Sequence, residues 1–135
     1  MEVLIVISVL AIIFSIIIPQ FSKTRELQVL KSAVSDTLSA INKSQANTLA
    51  SVDSSSYGVH FDSDEVIIFK GTVFSAGSAD NEVVELVSPA SVSNVTLAGV
   101  SGNSGNLYFN RISGMPSKSG TITLSTPNLV KTITI

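Results

Sequence analysis

From Val3 to Ile18 the chain is an almost unbroken run of valine, leucine, isoleucine and phenylalanine, interrupted only by Ser8, Ala11 and Ser15. As an α-helix, residues 1–18 would be about 27 Å long at roughly 1.5 Å per residue, against a bilayer core of about 30 Å. The run lacks the basic flank and small-residue cleavage site of an ordinary secretory signal. Its β-branched residues form helices poorly in water. In lipid the helix is still preferred, because every backbone N–H and C=O must be satisfied within the segment. A membrane-inserted helix is therefore expected, its apolar surface supplied by Val3, Leu4, Ile5, Val6, Ile7, Val9, Leu10, Ile12, Ile13, Phe14, Ile16, Ile17 and Ile18.

Beyond Gln20 the composition changes to that of a soluble protein rich in Ser, Thr, Asn and Gly. Pro19 alone would suggest a helix end, since proline removes an i→i−4 bond. Yet Leu27, Leu30, Val34, Leu38, Ile41 and Leu49 recur mostly at three- and four-residue steps among Lys23, Arg25, Glu26, Lys31, Asp36 and Lys43. That pattern predicts one long helix, kinked or loosened near Pro19 and running to about Leu49, with those six residues packing on a sheet. Its length would be on the order of 70 Å. Residues 1–22 form the apolar part, 23–52 the amphipathic continuation and 53–135 a β-rich head. The run Ser51–Ser56 reads as the helix stop. Short strands are expected at Tyr57–Phe61, Val66–Lys70, Val83–Val87, Val95–Leu97, Leu107–Asn110, Thr121–Leu124 and Lys131–Ile135, with Asp62–Asp64 as a hairpin turn and Ser75–Asn81 and Gly99–Asn106 as loops. The fold class is α+β, one long helix on an antiparallel sheet.

Glu2 does not fit an apolar segment. Near the middle of a lipid-facing helix a charge costs about 2.5–3.5 kcal/mol, though less at a helix N-terminus, where the dipole favours an anion. Two readings follow: an interfacial glutamate at a helix start, or a glutamate that neutralises a cation from another copy of the chain in a dry helical core.

The segment Met1–Ile13, headed by Glu2, resembles the N-terminal motif of bacterial type IV pilins and type II secretion pseudopilins. That family has a glutamate at the head of an apolar run and, in many members, a proline seventeen residues later, the separation of Glu2 and Pro19. The motif covers about the first 25 residues; the rest is similar to the family only in layout. The resemblance implies the type IV pilin fold and an extracellular filament built by packing of the N-terminal helices. Glu2 would pair with a neighbour's α-amine, and Pro19 would mark where the helix loosens. Implied partners are other copies of the chain, the inner membrane before assembly, a pilus assembly platform, a prepilin peptidase and assembly ATPases. Segments around Tyr57–Phe61, Leu107–Asn110 and Ser119–Leu124 are similar to heads of the pseudopilin H and minor pilin T group. Mature family members begin three residues before the position of Met1, usually with an N-methylated phenylalanine. Three more residues would lengthen the span to about 31 Å. Lys23 and Arg25 read alone would hold the head in the cytoplasm; in the family a basic leader reverses that orientation. The disulfide loop of many adhesive pilins has no counterpart, since the chain has no cysteine.

Other chemistry is sparse. His60 is the only histidine, and no nucleophile–base–orienter set is visible, so no catalysis is expected. Asp62, Asp64 and Glu65 read as hairpin-turn residues rather than a calcium site, and no metal or cofactor is expected. The glycines of 99–105 lack the Lys-Ser/Thr of a phosphate loop. Asn42-Lys43-Ser44 and Asn94-Val95-Thr96 match a glycosylation acceptor pattern. A net charge of −2, with scattered Lys70, Arg111, Lys118 and Lys131 in the head, gives no basic patch, and nucleic-acid binding is not expected. The expected function is a structural major pilin at the bacterial cell surface. The alternatives are a minor pilin or pseudopilin of a secretion or competence filament, and a monomeric membrane-anchored binding domain.

Overall fold

The computed structural model describes residues 2–135, the side chains of 18–20 excepted. Helix α1 spans Glu2–Leu49 without interruption, 48 residues, or about 70 Å. It ends where the periodicity placed it. Ser51, Asp53 and Ser54 all take positive φ near 50°, which short polar residues tolerate better than branched ones, and a single 3-10 turn follows at Val52–Ser54. The expectations attached to Met1, and to the side chains of Ile18 and Pro19 with the kink, lie outside the described residues.

The head contains eight strands: β1 Tyr57–Phe61, β2 Glu65–Lys70, β3 Glu82–Glu85, β4 Ser91–Leu97, β5 Val100–Gly102, β6 Gly105–Tyr108, β7 Gly120–Ser125 and β8 Val130–Thr134. They form two four-stranded sheets rather than the one expected, in the orders β3-β2-β1-β6 and β5-β4-β7-β8, with every pairing antiparallel. The turn Asp62–Asp64 closes the first hairpin, with Asp62 N–H donating to Glu65 O at 3.0 Å. That same turn links the sheets, since Ser63 O accepts from Val92 N of β4, while Asp64 O, accepting from Leu86 N, extends the β2–β3 ladder. Strand β5 lies inside what reads as a glycine-rich loop. Its three residues pair with β4 and carry too little apolar pattern to announce a strand.

The core sits between the helix and both sheets. Leu30, Ala33 and Ala40 of α1 meet Val59, Phe61, Val66 and Ile68 of the first sheet and Val92, Val95, Ile122, Leu124 and Ile133 of the second. Strand alternation points Tyr57, Val59 and Phe61 into this core. The opposite face of the first sheet has its own cover. Phe74, from the loop after β2, stacks on His60 at 3.9 Å between ring centroids and meets Phe69 edge-on at 5.6 Å. Gly58 makes this possible, because a Cβ there would lie 2.3 Å from the Phe69 ring.

Candidate functional site

The apolar run forms the first third of α1 and stands clear of the head. Every large side chain from Val3 to Ile17 is 43% to 70% exposed. For these twelve residues, half of whose surface the helix itself already covers, lost burial amounts to on the order of 10 kcal/mol at about 1.5–3 kcal/mol per fully buried side chain. A surface of that extent marks an interaction or membrane site. Its polar interruption is internally satisfied at Ser8, whose hydroxyl donates to Ile5 O at 2.8 Å. Ser8 can therefore enter a water-free setting without an unmade bond. By length and hydropathy the helix is able to cross a membrane.

Glu2 occupies the first turn of α1, where orphan N–H groups and the helix dipole favour a carboxylate. Its side chain is exposed. Among the described residues it joins neither of the two ion pairs, Lys43–Glu82 and Lys70–Asp53. The structure thus places Glu2 and the apolar residues on one contiguous, outward-facing segment.

The helix face turned to the head differs from the one expected. Leu30 is buried, and Val34 and Ile41 pack partly buried against the core. Leu27, Leu38 and Leu49 remain 38%, 40% and 52% exposed. The residues buried beside Leu30 are instead Ala33, Thr37, Ala40, Ser44 and Thr48, again at three- and four-residue steps. Small side chains let the helix backbone approach the large sheet residues closely, and the bigger leucines fall on the adjoining face. Two of the three buried hydroxyls are accommodated by backbone bonds: Thr37 Oγ1 donates to Ala33 O at 2.7 Å, and Thr48 Oγ1 to Ser44 O at 2.9 Å, while Ser44 Oγ is buried without a partner. Thr48 Oγ1 also accepts Tyr57 N–H at 2.9 Å, pinning the start of β1 to the helix end. The signal was present in the sequence, since a small-residue stripe at helical spacing is as periodic as a leucine stripe, but hydrophobicity alone does not weight it.

Three further ties hold helix to head. Lys43 Nζ meets Glu82 at 2.6 Å, Gln45 Nε2 donates to Gly114 O at 2.9 Å, and Asn128 Nδ2 donates to both Glu26 carboxylate oxygens at 3.1 Å. The exposed ion pair is worth little, roughly 0–1 kcal/mol.

The remaining candidates stand apart from this surface. Burial lowers the His60 imidazole from its ordinary value, against the opposing pull of Asp62 and Glu65, and its Nδ1 is buried without a partner. Asp62 Oδ1 accepts the Ser63 N–H at 2.7 Å, ordinary turn chemistry. Among the described residues no three His, Cys, Asp or Glu side chains are grouped to hold a metal ion. Asn42 is exposed on the helix. Asn94 lies on β4 with its Nδ2 bonded to Thr96 Oγ1 at 3.2 Å. Comparison with protein-family models, curated proteins and solved structures finds no match.

Proposed function

We propose that this chain is a structural subunit of an extracellular type IV pilus filament, with the type IV pilin fold, held in the cytoplasmic membrane by its apolar helix before assembly. The observation that carries the reading is the first third of α1. It is apolar on all sides, fully outside the head, and headed by Glu2, a charge with no partner of its own among the described residues. Such a segment suits two environments in turn, lipid and a bundle of like helices. Lipid tails and leucine side chains are similarly apolar, so exchange of one for the other need not be costly. The Glu2 carboxylate then needs a cation, and the α-amine of a neighbouring copy is the natural one. The chain itself performs no catalysis. Leader removal, docking and energy input fall to a prepilin peptidase, an assembly platform and ATPases.

Mass spectrometry of sheared surface filaments tests this reading. The chain is expected as the dominant component. A trace amount in the filaments would make it a priming or capping minor pilin or pseudopilin. Complete absence, with the protein retained in the membrane, would leave a monomeric anchored domain and end the filament proposal.

A further inference from the structure

The apolar surface of α1 does not stop cleanly where the head begins. Phe21 is the last large exposed apolar residue of the run. Lys23 and Arg25 follow, both exposed and joined to no acid in the ion pairs among the described residues. At about 1.5 Å per residue they stand roughly 3 Å and 6 Å above Phe21, and Leu27 roughly 9 Å above it. The headgroup layer on each side of a bilayer is about 5–7 Å thick. With Phe21 at the edge of the hydrocarbon, both cations lie at phosphate height.

The head reaches down to the same level. The tight turn Thr126–Leu129, between β7 and β8, is closed by Thr126 N–H donating to Leu129 O at 2.8 Å and Leu129 N–H donating to Thr126 Oγ1 at 3.2 Å. Asn128 fastens this turn to Glu26 on the helix. Between turn and helix lies a groove of about 400 Å³ lined by Lys23, Glu26, Leu27, Asn128 and Leu129. Its neighbour Val130 is 62% exposed, and Lys131 beside it is exposed as well. Apolar groups and lysines at one height, continuous with a membrane-inserted helix, suit an interface where one end is apolar and the other wet.

We propose that the Thr126–Val130 corner of the head, with Lys23 and Arg25, rests in the phospholipid headgroup layer while the subunit waits in the membrane. Lys23 and Arg25 meet phosphate, and Leu27, Leu129 and Val130 lie just above them at the outer edge of the headgroup layer. The acidic turn Asp62–Glu65 belongs to the same end of the head, since Ser63 bonds Val92 beside the β4–β7 pair. The partner is therefore a zwitterionic headgroup layer rather than a strongly anionic one. Contact with it fixes the tilt of the whole subunit in the membrane before assembly. The inference rests on the membrane-anchored reading above.

The chain has no cysteine, so single cysteines report cleanly. L10C, V130C and I112C are each labelled with a fluorophore in the full chain, reconstituted in zwitterionic phospholipid nanodiscs. Quenching is then compared for nitroxides on the headgroup and on the acyl chain. Ile112, fully exposed, lies in the turn that packs against Leu49 at the far end of the helix. Acyl-chain nitroxide is expected to quench the label at position 10. Headgroup nitroxide is expected to quench position 130 at least threefold more than position 112. Equal quenching at 130 and 112, with position 10 quenched, overturns the headgroup contact and leaves the anchor intact. An unquenched label at position 10 overturns the anchor and this contact with it.

Discussion

Replacing Thr48 by valine keeps the shape of a buried side chain and deletes one oxygen. Thr48 is fully buried. Its hydroxyl takes the Tyr57 N–H at 2.9 Å and gives its own proton to Ser44 O at 2.9 Å. Ser44 O keeps its place at the helix end after the substitution, but Tyr57 N–H is left as a buried donor with no acceptor. An orphaned buried group costs about 1–3 kcal/mol. Threonine and valine have similar helix propensities, so no large backbone term offsets this. A loss of about 2 kcal/mol corresponds to roughly 8–16 °C in Tm for a domain of this size, at about 4–8 °C per kcal/mol. Thr48→Ser is the control: it keeps the hydroxyl and loses a methyl worth about 1 kcal/mol. Thermal unfolding of the full chain in detergent micelles, followed by the near-ultraviolet dichroism of the tyrosines, measures both. The valine variant should melt well below the serine variant. If serine is the more damaging of the two, volume and not hydrogen bonding holds the helix to β1, and the argument fails.

Gly58→Ala places a methyl 2.3 Å from the Phe69 ring; about 2 kcal/mol of destabilisation is expected from overpacking, read as a lower Tm with weaker protection of β1 and β2 amides in hydrogen exchange. His60 gives a pH dependence of known sign. Its folded-state pKa is lowered, chiefly by burial, so below the ordinary value of 6.5 the unfolded chain binds the proton more readily and stability falls with falling pH. Tm should drop between pH 7 and pH 5, and His60→Gln should flatten that slope; an unchanged slope assigns the acid sensitivity to other groups. Glu2→Ala should leave the subunit in the membrane fraction while filament yield falls at least tenfold, and wild-type yield from that variant would remove the role proposed for the carboxylate.

Two kinds of information in the sequence behave differently here. Local signals were legible. The helix end at Leu49, the hairpin turn Asp62–Asp64 and most strands follow from periodicity and turn chemistry, which act over a few residues. The division of strands into two sheets was not, because nothing near Leu107 or Thr121 records whether its neighbour across the ladder comes from β1 or β4. The pairing is fixed by long-range packing, such as Gly105, where a Cβ would lie 2.7 Å from Val95.

The helix shows the same limit at the candidate site. Leu27, Leu38 and Leu49 are eleven residues apart, three helical turns each at about 3.6 residues per turn. They make a regular stripe that hydrophobic patterning identifies as needing cover. Periodicity establishes that need but carries no information on which surface meets it. The head instead covers the neighbouring face, because Ala33, Thr37, Ala40, Ser44 and Thr48 admit a closer approach than leucines do, and close approach lets Thr48 reach Tyr57. The leucine stripe is therefore left 38% to 52% exposed and the run from Val3 to Ile17 43% to 70% exposed: apolar helix surface that the chain's own head covers in part or not at all. In the proposed filament that surface would be what one subunit offers the next, while the small-residue face keeps each head on its own helix.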